Sequence, residues 1–209
     1  MVIPPFLRVG PGGDFNGIAK MMNILMKRKI LVYKSKTSLI EGYFEEMVLV
    51  TSPVACLHEA TEKEHDLIIV IFGPGFLKES DAMVELCSTL KRNRHTMQVP
   101  LLCFLPSKHR GLLERLAAAK VKYVVILDPS DRILQSQLET IASDPSEEYE
   151  IGRILSGVCP HINYFPVCRD KEILYCGAYR NRLVLGPYRL RQYCETNNHI
   201  DCEYFQNPT

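Results

Sequence analysis

Five short apolar runs, separated by helix-length stretches, constrain this chain more than any other feature. They are KILVY (29–33), MVLVTS (47–52), DLIIVIF (66–72), VPLLCFLP (99–106) and VKYVVILDP (121–129). Runs that stay apolar without alternating belong to strands covered on both faces. Between and after them, residues 38–46, 53–64, 80–94, 111–120 and 131–142 have the length and spacing of helices. The apolar face of the second is Val54, Leu57 and Ala60, and that of the third is Met83, Leu86, Cys87 and Leu90. Strands alternating with helices predict a parallel sheet with helices on each side and right-handed crossovers. The expected fold class is α/β, a doubly wound five-stranded parallel sheet over residues 27–142.

The flanking segments read differently. Residues 1–26 carry Pro4, Pro5 and Pro11 and are expected to form a loose arm. The Gly10-Pro11-Gly12-Gly13 run follows no strand and precedes no Gly-Lys-Ser/Thr, so it is not a phosphate loop. Residues 143–150, SDPSEEYE, are polar and acidic, and they predict a linker with few contacts crossing it. Residues 151–209 then form a cysteine-rich module. A net charge of +1 over 209 residues argues against an extended nucleic-acid footprint. No stretch approaches the roughly 20 apolar residues of a membrane span. The N-terminal residues lack the apolar core of a signal peptide, so the cytoplasm is the expected compartment.

Five βα units in this order, with HDLIIV at the third strand and KYVVILDP at the fifth, resemble the receiver domain of bacterial response regulators. Flavodoxin-like folds share the same outline. The resemblance implies a phosphorylation site at the carboxyl ends of the strands: an acidic pair, an acceptor aspartate, a Ser or Thr, and a Lys before proline. Here the first strand is followed by Lys34, Ser35 and Lys36, whose cations repel a hard metal. The third strand ends Val70-Ile71-Phe72, and Asp66 sits at its opposite end. Ser107 follows the fourth strand, and Asp128 rather than lysine precedes Pro129. The expected domain is thus a scaffold without phosphoryl transfer, with Lys34, Lys36 and Asp128 as a salt-bridged patch over the strand ends.

Of eight cysteines, Cys56, Cys87 and Cys103 are scattered among apolar residues and read as small core side chains. The other five crowd the last 51 residues with the spacing Cys159-x8-Cys168-x7-Cys176-x17-Cys194-x7-Cys202. Three readings compete: free core thiols, disulfides in an oxidising compartment, and metal ligation. Ligation is favoured because so small a module usually needs a staple. Thiolates suit zinc or an iron–sulfur cluster, and the absence of close Cys-x2–4-Cys pairs leaves a slight preference for the cluster. The pattern Cys-Pro … Phe-Pro … Cys … Tyr-Cys-x7-Cys over 159–205 also resembles a poorly characterised four-cysteine module of bacterial proteins. That resemblance implies Cys159, Cys176, Cys194 and Cys202 as metal ligands and leaves Cys168 as the extra. It departs at Cys202, which precedes Glu203 where the family has proline. Converging ligands require the four sulfurs within about 4 Å of one another for zinc. His161 and His199, close to cysteines, are further ligand candidates.

The function expected is non-catalytic: a signalling or adaptor protein whose receiver-like domain binds a protein partner, with a homodimer among the options. The cysteine site would stabilise the tail or sense redox state. Two alternatives stand beside it, an iron–sulfur oxidoreductase or electron-transfer component and a zinc-stapled interaction module. The chain has no Gly-x-Gly-x-x-Gly fingerprint to favour a nucleotide enzyme. Incubation with acetyl phosphate and Mg²⁺ is expected to leave residues 66–75 unmodified in peptide mass spectra. An acid-labile phosphoryl group there would contradict the loss of receiver chemistry.

Overall fold

A computed structural model describes residues 29–34, 47–73, 77–127, 147–168, 171–180 and 183–208. Five strands, β1 (Ile30–Lys34), β2 (Val48–Val50), β3 (Leu67–Ile71), β4 (Leu101–Leu105) and β5 (Tyr123–Ile126), form one sheet in the order β2-β1-β3-β4-β5. Every pairing is parallel. This is the order of flavodoxin-like doubly wound sheets. The helices α1 (Pro53–Glu62), α2 (Leu77–Arg92) and α3 (Arg110–Ala118) connect the strands. The helices expected over 38–46 and 131–142 lie outside the described residues, as do Lys36, Asp128 and the arm 1–26.

Alternating residues of each strand divide cleanly between two cores. Leu31, Tyr33, Ile68, Val70, Leu101, Cys103, Leu105 and Val124 face one. Ile30, Val32, Leu67, Ile69, Ile71, Leu102, Phe104 and Val125 face the other. Such two-sided burial is why β3 and β4 lack any polar residue. The first core also takes Met83, Leu86, Cys87 and Leu90 of α2, the face that spacing alone marks.

Three local expectations differ from the structure. β2 is three residues long at the sheet edge, with Val48 and Leu49 exposed, so it has no need of a second cover. On α1 the buried residues are Cys56 and Ala60, whereas Val54 is 78% exposed. Ala60 is buried and Leu57 packs against the core as expected, and Cys56 joins them where Val54 does not. The acidic stretch before residue 151 is more than a linker where it is described. Glu147–Tyr149 is a 3₁₀ turn, and Glu150 bridges antiparallel to Tyr123 on the free edge of β5. The Ile151 amide donates to the Lys122 carbonyl at 3.0 Å, and Lys122 Nζ lies 3.3 Å from Glu150.

Residues 151–208 continue as α4 (Ile151–Ser156), an antiparallel sheet β6 (Ile162–Cys168), β7 (Lys171–Cys176) and β8 (Leu183–Val184), and two short helices, α5 (Pro187–Arg189) and α6 (Glu203–Gln206). A π turn, Leu190–Cys194, and a 3₁₀ turn, Asn197–Asp201, join α5 to α6. Ile151, Val158, Ile162, Ala178 and Leu185 enter the same core as α2 and α3. Phe165, Val167, Ile173 and Val184 are exposed on the small sheet. Among the described residues no helix is long and apolar enough to cross a membrane.

The two-core arrangement sets the scale of substitution effects. Phe104→Ala, which empties a fully buried site in β4, is expected to cost about 3–5 kcal/mol in urea unfolding. Val54→Ser is expected to change stability by less than about 0.5 kcal/mol. A Val54 loss as large as that at Phe104 would contradict the assignment of the α1 face.

Candidate functional site

The carboxyl ends of the large sheet carry no receiver chemistry at the positions described. β1 ends in Lys34, and the residue after β3 is Phe72, buried, with its amide on the Phe104 carbonyl at 2.9 Å. Asp66 lies at the amino end, where its Oδ2 accepts the Lys29 amide at 2.8 Å. Ser107 is exposed beyond β4.

The four cysteines that the resemblance implies as ligands are all buried and lie at four separate places in the chain. Cys159 precedes β6, Cys176 ends β7, Cys194 ends the π turn, and Cys202 caps α6. One backbone hydrogen bond joins two of them directly. The Cys159 amide donates to the Cys194 carbonyl at 2.7 Å, and Cys176 pairs with Ile162 across β6 and β7. Cys168, the cysteine left over, is exposed at the far end of β6.

The four thiols lie within electrostatic reach of one another. Burial first, then the presence of Cys159, Cys202 and Cys176, pushes Cys194 up to about 12. Burial likewise raises Cys159, with Cys176 and Cys202 adding to it and the His161 amide and Arg110 opposing. Burial alone would raise Cys202 too. The Phe205 amide, the Arg189 guanidinium and the Tyr204 amide outweigh it, and this thiol lies below its ordinary value. Arg189 Nη2 sits 3.8 Å from Cys202 Sγ and 3.0 Å from Glu203. N–H groups aimed at sulfur favour the thiolate, the form that ligates metals. Arg110 opposes the rise at Cys159, and Arg189 opposes that at Cys194.

The cluster is gathered but not drawn tight. Among the described residues, no three His, Cys, Asp or Glu side chains stand at ligand-ready spacing. The mutual 4 Å approach expected for zinc is therefore not preformed, and holding one ion requires the sulfurs to close in. His199 is buried, and its Nδ1–H donates to the Thr196 carbonyl at 2.8 Å. His161 contributes its amide to Cys159 and its carbonyl to the Gly177 amide at 2.7 Å. Both rings meet Phe205 edge-on, at 5.7 and 5.2 Å, so their sides are packed against an aromatic wall.

Two features escaped the sequence. Cys87 and Cys103 lie with sulfurs 3.7 Å apart, and Cys56 is close enough for Cys87 to raise it. Burial is the main cause that takes Cys56 to about 12 and Cys103 well upward, so these remain neutral core thiols. The second feature is a basic triplet, Lys108-His109-Arg110, bonded to residues 155–195; no sequence signal marks it, because its partners are distant in the chain. A separate cleft of about 380 Å³ at the amino end of β1 shares no lining residue with the cysteines. There Lys63 already pairs with Glu59 at 2.8 Å.

Thiol reactivity follows burial and charge. In the native protein without metal, an aromatic disulfide reagent at pH 8 is expected to label about one thiol fast, and Cys168→Ser should abolish that phase. Cys56, Cys87 and Cys103 should react only on unfolding. Their rapid labelling in the folded state would contradict this core.

Compared with known proteins, the chain matches no family model, and no curated protein matches it in sequence.

Proposed function

We propose that the protein is a non-catalytic regulatory or adaptor protein, a receiver-like α/β scaffold joined to a thiolate metal centre. The observation that carries this reading is that Cys159, Cys176, Cys194 and Cys202 are all buried and within electrostatic reach of one another, while Cys168 is exposed. Free core thiols account for Cys56, Cys87 and Cys103. They do not account for the backbone amides and the Arg189 guanidinium directed at Cys159 and Cys202.

The four thiolates would hold an iron–sulfur cluster or a zinc ion. When bound, that group supplies a cross-link among four short elements and, if a cluster, a redox charge. The chain itself does the rest. His161, Tyr204 and Phe205 present N–H groups to sulfur, Arg189 and Arg110 balance negative charge, and Phe205 with the flanking tyrosines limits water. The non-catalytic part of the reading is supported by Phe72 where a receiver carries its phosphate acceptor, and by Lys34 at the end of β1. Partner contacts are assigned to the receiver-like layer.

Anaerobically purified protein is expected to carry one metal centre per chain by elemental analysis, with visible absorbance if it is a cluster and none if it is zinc. Serine at Cys159, Cys176, Cys194 or Cys202 should each remove it, while Cys168→Ser should keep it. Structural zinc contributes about 10–16 kcal/mol of apparent binding free energy in small peptides, so ligand loss should also loosen 151–209. Metal retained by all four variants would overturn the assignment.

A further inference from the structure

The cleft of about 380 Å³ lies where α1 ends and the chain turns into β3. Ile30 and Val48 give it apolar walls, and Glu59, Lys63 and His65 stand among its polar ones. A hollow of this size, apolar with a few polar groups, is typical of small-molecule sites. It opens at the amino ends of the strands, opposite the ends where doubly wound sheets usually meet their ligands.

His65 is the unusual member. Its side chain is 3% exposed, and among the described residues neither ring nitrogen has a hydrogen-bond partner. A neutral imidazole carries one donor and one acceptor, so two buried groups are left unmet. Leaving them so costs free energy, and such cases are rare in native proteins. Glu59 Oε1 lies 4.0 Å from His65 Nε2, too far for a hydrogen bond. The same oxygen takes Lys63 Nζ at 2.8 Å, across one turn of helix. Lys63 thus neutralises Glu59 without serving His65. Its side chain is 66% exposed, and an exposed pair at this spacing contributes little to stability. Lys63 is an easily moved cover.

The charges favour a cation in its place. Glu59 and Glu64 both line the cleft, and with Lys63 turned outward Lys29 is the lysine left among the lining residues. The last turn of α1 holds no basic residue, so nothing within the helix then offsets the partial negative charge of its end. An ammonium nitrogen has three N–H donors. Because the Glu59 oxygen and the His65 nitrogen are 4.0 Å apart, one ammonium fits within about 2.8 Å of both. A carbon body attached to it would cover Val48, which is exposed. Among the described residues Glu59, Glu64 and His65 do not form a metal-holding group, which disfavours a bare metal ion.

We propose that this cleft binds a small organic ammonium ion with an apolar body, which displaces Lys63 and donates to both Glu59 and His65. The site shares no lining residue with the cysteines, so it stands apart from whatever they hold.

The test uses the full ¹⁵N-labelled chain, titrated with benzylamine at neutral pH and followed by backbone amide shifts. Saturable shifts are expected at Ile30, Val48 and residues 63–66. Benzyl alcohol and benzoate share the ring but not the cation, and should bind about 10-fold more weakly. Glu59→Gln should weaken benzylamine binding by about 10-fold, the loss expected for a charged hydrogen-bond partner. Lys63→Ala should tighten it about 2-fold, because an exposed pair no longer competes. That gain separates a displaced cover from a lysine that merely supports the fold. Lys63→Ala changes an exposed side chain, so it serves if Glu59→Gln fails to fold. Three results would each overturn the site: no saturable shift up to about 50 mM, benzyl alcohol or benzoate binding as tightly as benzylamine, or weaker binding in Lys63→Ala.

Discussion

A segment the size of residues 151–209 buries too little apolar surface to be more than marginal on its own, and this limit shapes the molecule. The segment meets it in part by borrowing. Val158, Ile162, Ala178 and Leu185 pack into the same core that α2 and α3 form over the large sheet. The cysteines then sit at the edge of that shared core and not in a separate one. Cys159, Cys176 and Cys194 belong to the continuous buried cluster that begins at Leu31 in β1.

The joint between the layers is polar where it is directional. Apolar packing fixes how close α3 and α4 come but not their register, since it is non-directional. Arg110, Lys108 and His109 supply the register, each addressing a carbonyl, a ring or a carboxylate at a defined point. Burial pushes the Tyr164 phenol up to about 12, so its hydroxyl stays neutral and serves as a fixed acceptor for the Arg110 amide. A charge there would repel Glu172 and Glu195, which already crowd the same ring.

How much of this was legible depended on whether side chains or backbone made the structure. β3 and β4 were readable because Leu67–Ile71 and Leu101–Leu105 are apolar at every position, which only a doubly covered strand tolerates. The α2 face was readable from the spacing of Met83, Leu86, Cys87 and Leu90. The α1 face was read correctly at Leu57 and Ala60 and wrongly at its start, where Val54 was counted and Cys56 was not. Residues before 151 looked like a linker because composition reports side chains. Their attachment to β5 uses the backbone of Glu150 and Ile151, on which composition is silent. Among the last five cysteines, the resemblance to a four-cysteine module set apart Cys168, the one that is exposed. The grip of Lys108, His109 and Arg110 was not legible, because its partners lie about 45 to 90 residues away and three of them are backbone carbonyls.

The central claim is that four thiolates of one chain share a metal centre. X-ray absorption at the metal edge of anaerobically purified protein tests it most directly, since it reads the ligand atoms themselves. The account predicts a shell of sulfur alone, at about 2.3 Å for zinc, with added iron neighbours if the group is a cluster. A shell dominated by nitrogen or oxygen, or a protein that arrives without metal and takes none up, would contradict it.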